Sequence, residues 1–171
     1  MSRLILVALL VLTACVRAPE PAHSFRNPAT PIYSSAVLDA ASLAGRWQQV
    51  GTFGDNPEGC KGGAVSFGVP VGQALPVEAD LCLDGQRARY RGQARLVAPG
   101  RLQLEGAVGA LAEPWWVLWA DADSRTLVIG TPSGRMGFVL ERGGVTSPDR
   151  LKAAREILDW NGYRLAGLQM F

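Results

Sequence analysis

The side chains most able to do chemistry in this chain are three cysteines, one histidine and a scattered set of carboxylates. Cys15, Cys60 and Cys82 are the thiols, and His23 is the only imidazole. His23 lies in a proline-rich stretch, so the rest of the chain offers no imidazole for a Ser-His, Cys-His or His-metal site. The thiols therefore carry most of the chemical information.

The segment in front of Cys15 is typical of an export signal. A short basic start at residues 1–3 precedes an apolar run at residues 4–12, which is too short to span a bilayer. The sequence Leu12-Thr13-Ala14-Cys15 then resembles a bacterial lipobox, which implies cleavage before Cys15 and its acylation with chains such as palmitate. Because Val16 follows rather than Asp, the resemblance favours the outer membrane, facing the periplasm. An ordinary signal peptide with a chance cysteine is the alternative.

Cys60 and Cys82 remain as a pair once Cys15 is assigned to lipid. An even pair of thiols in an oxidising periplasm predicts a disulfide. It would close a loop of about 20 residues, worth roughly 3 kcal/mol in the chain-entropy model. The alternative, a catalytic thiolate, would need a neighbouring base, and none is visible in the sequence.

The sequence divides into a signal peptide (1–14), a lipidated cysteine with a proline-rich tether (15–41) and one folded domain (42–171). Residues 16–41 contain several prolines and few large apolar residues at any regular period. The net charge of +2 gives no reason to expect a nucleic-acid partner. No cofactor or metal is expected.

Eight short alternating segments succeed one another, separated by turn residues. Their bounds are 45–53, 63–69, 77–83, 87–97, 101–108, 114–121, 126–131 and 135–142. This spacing predicts an all-β sandwich or up-and-down barrel. Ser147 and Pro148 then mark the start of a helix and Asn161-Gly162 its end, before a last short strand at 163–170. We expect the helix to pack against the outer wall of the barrel.

Four motifs in order across residues 43–171 resemble the lipocalin family, specifically the bacterial outer-membrane type. They are Gly45-Arg46-Trp47, the strand Trp116 to Asp121, the strand Leu127 to Gly130, and Phe138 to Arg142. The resemblance implies an eight-stranded antiparallel up-and-down barrel with one C-terminal α-helix packed outside and a short last strand. It also implies a structural signature at the closed end, formed by Gly45, Trp47, Asp121 and Arg142. In that signature Arg142 would stack on Trp47. Ser124-Arg125 departs from the family pattern, which usually has a Tyr there.

The inward-facing residues of such a barrel would form a ligand site. The resemblance points Met136, Phe138 and Leu140 inward, and we expect Trp115, Val117 and Trp119 to form the inward face of their strand. Gly51, Gly106 and Gly137 would leave unfilled volume if they also faced inward.

An apolar pocket of this kind suits a small hydrophobic ligand such as a fatty acid or lysophospholipid. We therefore expect a lipid-anchored carrier that is not an enzyme, whose partners are that ligand and the membrane. A filled barrel serving as an interaction or structural module is the second interpretation, and an enzyme using Glu105, Glu113 or Glu141 is the third. The alternating arginines from Arg87 to Arg95 fit either an anion-binding face or, more simply, a solvated one.

Overall fold

Turn residues divide the described part of the chain, residues 23–56 and 58–171, into nine strands and one α-helix. This computed structural model has strands β1 (Gly45–Phe53), β2 (Gly63–Phe67), β3 (Ala74–Leu83), β4 (Gln86–Ala98), β5 (Arg101–Leu104), β6 (Trp115–Ala120), β7 (Thr126–Gly130), β8 (Gly137–Glu141) and β9 (Leu168–Met170). Helix α1 (Pro148–Trp160) lies between β8 and β9. Single 3-10 turns occur at Ala40–Leu43, Gly109–Ala112 and Leu165–Gly167.

Strands β1 to β8 form an antiparallel up-and-down barrel. Each strand pairs with the next along the chain, and β1 closes the barrel by pairing with both β2 and β8. β9 pairs with the C-terminal part of β1, from Gly51 opposite Met170 to Phe53 opposite Leu168. The predicted barrel with one C-terminal helix is confirmed.

The two ends of the barrel are built differently. Up-and-down connectivity puts the start of β1, the end of β8 and the 3-10 turn Ala40–Leu43 at one end, which we call the closed end. The β1–β2 loop (54–62), the β5–β6 loop (105–114) and the β7–β8 turn (131–136) lie at the other, which we call the open end.

Strand alternation sorts the apolar side chains into two layers. The first is the lumen cluster, formed by Leu43, Trp47, Val65, Phe67, Leu75, Val77, Ala79, Leu81, Leu83, Ala94, Leu102, Leu104, Leu111, Trp115, Val117, Leu127, Ile129, Met136, Phe138 and Leu140. The second is the outer cluster, formed by Phe25, Phe53, Leu118, Val128, Val139, Ala154, Leu158 and Tyr163. Ala154 and Leu158 come from α1, so the helix lies outside the barrel because its apolar face covers this patch of wall.

An N-terminal strap, residues 24–35, packs on the outside of the barrel. Phe25 is buried in the outer cluster, with its ring 5.8 Å from that of Phe53. The buried Arg26 guanidinium donates to the carbonyl oxygens of Pro132 (2.8 Å), Asn161 (3.0 Å) and Thr30. The expected tether to residue 41 is therefore wrong for the strap, because irregular backbone still docks when its side chains find partners. Residues 1–22, with the expected signal peptide and Cys15, lie outside the described residues.

Several strands end earlier or later than the sequence predicted. β5 stops at Leu104 rather than at residue 108, because Gly106 takes a φ of +70° and a 3-10 turn follows. The predicted last strand, 163–170, keeps its strand geometry only at β9. Its first residue, Tyr163, instead forms an isolated bridge with Arg26 of the strap.

Candidate functional site

The lumen holds five of the six residues expected to bind a ligand. Trp115, Val117, Met136, Phe138 and Leu140 all belong to the lumen cluster and are at most 2% exposed. They come from β6, from β8 and from the turn that precedes β8. The structure therefore brings these side chains together inside one wall of the barrel.

Trp119 does not join them, so its expected inward position was wrong. The β6–β7 ladder shifts register between Val117 and Trp119, so that Trp119 pairs with Val128 of the outer cluster. One extra residue in a β-bulge reverses the facing of everything beyond it. Trp119 consequently packs with the outer cluster, while Ala120 packs against the lumen.

The three glycines that would leave unfilled volume if they faced inward do not face the lumen. A Cβ at Gly51 would meet the Met170 sulfur of β9 at 2.8 Å. A Cβ at Gly137 would meet Phe53 and Tyr163, both in the outer cluster, at 2.9 Å. Gly106 lies in the β5–β6 loop, where a Cβ would meet nothing within 4 Å. The lumen is instead occupied by large side chains.

The closed end is sealed by Trp47 and Arg142, the two residues expected to meet there. The Arg142 guanidinium carbon lies 4.2 Å from the Trp47 ring centre, and the indole Nε1 donates to the Leu43 carbonyl at 2.7 Å. Arg142 also donates to the carbonyl oxygens of Ala44 (2.8 Å), Ser42 (3.0 Å) and Ser124 (2.5 Å). These contacts tie the 3-10 turn, β1 and the β6–β7 turn together, which is a structural role.

The other two members of the expected closed-end signature shape its backbone. Gly45 takes a φ of +116°, which side chains rarely adopt, as β1 leaves the 3-10 turn. Asp121 Oδ1 accepts the backbone N–H groups of Arg125 and Thr126, both at 2.6 Å. The carboxylate thus holds the β6–β7 turn in place.

Near the open end, β1 and β3 meet at a seam beyond the end of the β2–β3 pairing. This seam is closed by a side chain, Gln49, that sequence reasoning missed. Gln49 is 4% exposed, and its amide donates to the Cys82 carbonyl at 2.7 Å and accepts the Cys82 N–H at 2.8 Å. The amide satisfies β3 beyond the point where its pairing with β2 stops, at Ala64 opposite Asp80. The predicted disulfide joins Cys82 to Cys60 beside it, with a Cα–Cα distance of 5.6 Å. Only the alternation of β1 hinted that Gln49 faces inward.

Trp115 carries an unpaired hydrogen-bond donor inside the lumen. Its side chain is 0% exposed, and its ring meets that of Phe138 edge to face at 5.2 Å. The indole Nε1–H has no acceptor among the described residues. Buried donors are nearly always paired, so an unpaired one in an apolar lumen marks a place where an acceptor would be favoured.

The barrel wall has a gap between β4 and β5, because the first half of β4 has no partner on β5. The β4–β5 ladder begins at Ala94 opposite Leu104, whereas β4 itself begins at Gln86. The Tyr90 hydroxyl lies at the end of this gap, 2.7 Å from the Gln93 carbonyl oxygen and 2.9 Å from that of Glu105, so its single proton has two acceptors within reach. Burial, together with the Glu105 charge, raises the pKa of Tyr90, so the phenol stays a donor. Leu111 of the β5–β6 loop reaches into the lumen cluster above the gap.

The carboxylates considered for catalysis are separated and already engaged. Glu105 pairs with Arg95 on the exposed face, and Glu113 accepts the Ser133 hydroxyl at 2.5 Å at the open end. Glu141 is 2% exposed between β8 and α1, where it pairs with Arg150 at 3.3 Å and accepts the Thr126 hydroxyl. The structure does not bring the three together in the lumen.

The arginine row of β4 is neutralised across the sheet. Arg87 and Arg89 lie 3.3 Å and 3.1 Å from Asp80, and Arg91 lies 2.5 Å from Glu78. These pairs favour a solvated, salt-bridged face over an anion site. Among the described residues, no group of three or more His, Cys, Asp or Glu side chains could hold a metal ion. In that same part of the chain, no helix has the length and apolarity needed to cross a membrane.

Comparisons with known proteins identify a family by sequence and similar folds among solved structures. A family model described as a lipocalin-like domain matches residues 38–171. A search of curated proteins gave no match. Among solved structures, the siderocalin Ex-FABP, described as having dual ligand specificities, is 15% identical with a TM-score of 0.58, covering 76% of this chain and 93% of its own. Lobster apocrustacyanin A1 is 14% identical with a TM-score of 0.56, covering 77% of this chain and 78% of its own. At these identities the likeness is one of fold.

Proposed function

The chain belongs to the lipocalin-like family, and on that premise we propose that it carries one small hydrophobic ligand, such as a fatty acid or lysophospholipid, in its barrel lumen. Lipocalins typically bind small hydrophobic molecules and are generally carriers rather than enzymes. The apolar lumen cluster supplies the matching surface. An eight-stranded barrel encloses about enough space for one such molecule.

The observation that carries this proposal is the unpaired Nε1–H of Trp115. A carboxylate or phosphate oxygen placed there would gain a charge-assisted hydrogen bond away from water. The acyl chain would lie against Phe138 and Leu140 on the same side of the lumen. Entry through the gap beside β4 requires Leu111 and the loop that carries it to move outwards.

The test is a titration with palmitate of the soluble domain, from about Val16, after native mass spectrometry for co-purified lipid. We expect Trp115→Phe to weaken binding about tenfold to a hundredfold, because the donor to a charged acceptor is lost together with the pyrrole part of the indole. Trp116→Phe is the matched control, since Trp116 is half-buried on the outer wall beneath Arg101. Equal affinities of the two variants for palmitate would show that Trp115 does not contact the ligand.

A second function has its own support in the structure. The inward positions carry Trp47, Phe67, Trp115 and Phe138, and the glycines at 51, 106 and 137 face elsewhere. These observations favour a filled barrel that acts as an interaction or structural module. A domain that purifies empty and shows no change in Trp fluorescence with palmitate or lysophosphatidylcholine would decide for this second function.

We also propose that acylation of Cys15 holds the protein at the outer membrane of a bacterial cell, facing the periplasm. The support is the lipobox-like Leu12-Thr13-Ala14-Cys15 after a short apolar run. Several acyl chains give durable anchoring where one would be marginal. Cys15→Ser should move the protein to the soluble periplasmic fraction, and its persistence in washed membranes would contradict the anchor.

A further inference from the structure

The N-terminal side of the strap lies at the open end of the barrel. His23 Nε2 lies 3.4 Å from Asp55 Oδ2 in the β1–β2 loop. The Ser24 hydroxyl donates to the Ser133 carbonyl in the β7–β8 turn at 2.8 Å. Both partners belong to the open-end connections, so His23 lies at the mouth of the barrel.

The length of chain upstream limits how far that mouth can stand from a lipid anchor. Seven residues separate Cys15 from His23, and the eight Cα–Cα steps between the two span about 28 Å at full extension. The 13 residues of β4 cover roughly 40 Å of strand, or about 30 Å of barrel height at the usual tilt. The closed end could approach the anchor first only if this upstream stretch ran fully extended along the whole barrel.

The open end also carries side chains suited to a lipid interface. Trp160 ends α1 there, beside Asn161, and is 73% exposed, and Val108 of the β5–β6 loop is 82% exposed. Indole rings favour the boundary between headgroups and acyl chains. Exposed charges at this end are of both signs: Asp55, Glu58, Asp84 and Asp159 against Lys61, Arg135 and Arg164. Such a balance gives no preference for anionic lipid.

We propose that the open end of the barrel rests on the neutral, zwitterionic lipid surface that holds Cys15, with Trp160 and Val108 at the interface. A hydrophobic ligand would then pass between bilayer and lumen without crossing bulk water. The inference rests on the anchor proposed above but does not depend on the identity of the ligand. Exposed valines at the closed end, among them Val69, Val71 and Val145, form a rival apolar face, and the short upstream chain argues against it.

The experiment uses the full lipidated chain, with acylation of Cys15 verified by intact mass, in phosphatidylcholine vesicles containing lipid brominated near the glycerol end of its acyl chains. In a Trp160→Phe background, Val108→Trp places a probe at the open end and Val145→Trp a matched probe at the closed end. Both positions are highly exposed, so the fold should tolerate either change. Bromine quenches nearby indoles, and the four remaining tryptophans give a common baseline.

We expect the added probe of Val108→Trp to be quenched at least twice as strongly as that of Val145→Trp, with no change in 0.5 M salt. Inserting about 20 Gly and Ser residues before His23 should erase the difference, because the longer tether no longer restricts the orientation. Stronger or equal quenching at position 145, or a chain without acyl groups, would overturn the proposal. Palmitate affinity measured on the same protein reports separately on the ligand.

Discussion

Gln49 satisfies both backbone groups of Cys82 with one buried side chain. Gln49→Met keeps the length of the side chain but leaves a buried N–H and a buried C=O without partners. We expect it to lower the free energy of unfolding by about 2–4 kcal/mol, measured by urea denaturation. Gln48→Met is the matched control, because Gln48 is exposed on the same strand and should change stability by less than about 0.5 kcal/mol. Similar losses in the two variants would show that the amide does not close the seam.

Tyr163 links the stability of the fold to alkaline pH. Burial raises its pKa to about 12, and its hydroxyl donates to the Met136 carbonyl at 2.8 Å while accepting the Thr131 N–H at 2.8 Å. The unfolded chain ionises near pH 10, so the contribution of the protonated phenol is complete below about pH 10 and is lost as pH rises towards 12.

Within that window the free energy of unfolding should fall by up to about 1.4 kcal/mol per pH unit. Tyr163→Phe should be less stable at neutral pH but should show a shallower alkaline decline, measured by denaturant titrations from about pH 8 to 11.5. Tyr33→Phe, at a position 68% exposed, should behave like the parent. An alkaline slope that survives in Tyr163→Phe would assign the effect to another group.

At the level of single residues, two contacts were predicted from the sequence. The even pair of remaining cysteines predicted the bond between Cys60 and Cys82, and the resemblance to the lipocalin signature implied the meeting of Trp47 with Arg142. The inward position predicted for Trp119 is wrong because the bulge falls in a run of apolar residues, where no polar side chain marks which face turns outwards. Gln49 escaped prediction because a buried amide is recognisable only once its backbone partner on another strand is known.

The strap is the element whose contribution differs most from the expectation. A chain beginning at residue 38, where the family match begins, would lack Phe25 and the three hydrogen bonds of the Arg26 guanidinium. Burial of one Phe is worth about 2–3 kcal/mol, so removing the strap should lower Tm by about 10 °C or more. The comparison is with a chain beginning at residue 23, by calorimetry. Equal Tm values would mean that the strap adds no stability.

Among the elements, alternation and turn residues were enough to predict eight strands and the helix, because each strand buries one face in the lumen. Their ends were less predictable. β5 contains only four residues, since Gly106 bends the chain, yet residues 105–108 continue an apolar alternation that is typical of a strand. The prolines of the strap predict a tether because they exclude regular structure, although they do not exclude docking.

Closure of the whole barrel depends on the edge of β1 that faces β2. The pairing with β2 ends at Gln49, so the rest of this edge needs another partner. β9 pairs with the C-terminal part of β1, and the disulfide fixes the β1–β2 loop to β3. The two devices lie close together, since a Cβ at Gly62, two residues after Cys60, would lie 3.8 Å from the ring of Phe171, which follows β9. Since both hold the same edge, neither should act independently of the other.

We therefore expect the two closures to be coupled in a double-mutant cycle. Replacing Cys60 and Cys82 by Ala should cost about 3 kcal/mol through loop entropy. Deleting residues 168–171 should cost a comparable amount, since it exposes the outer edge of β1. Together they should differ from the sum by more than about 0.5 kcal/mol, measured by urea unfolding, because neighbouring contacts are not additive. A cycle pairing the disulfide with Arg142→Met at the closed end is the control and should be additive within that limit. Additivity in both cycles would show that the barrel is not held shut at one shared seam.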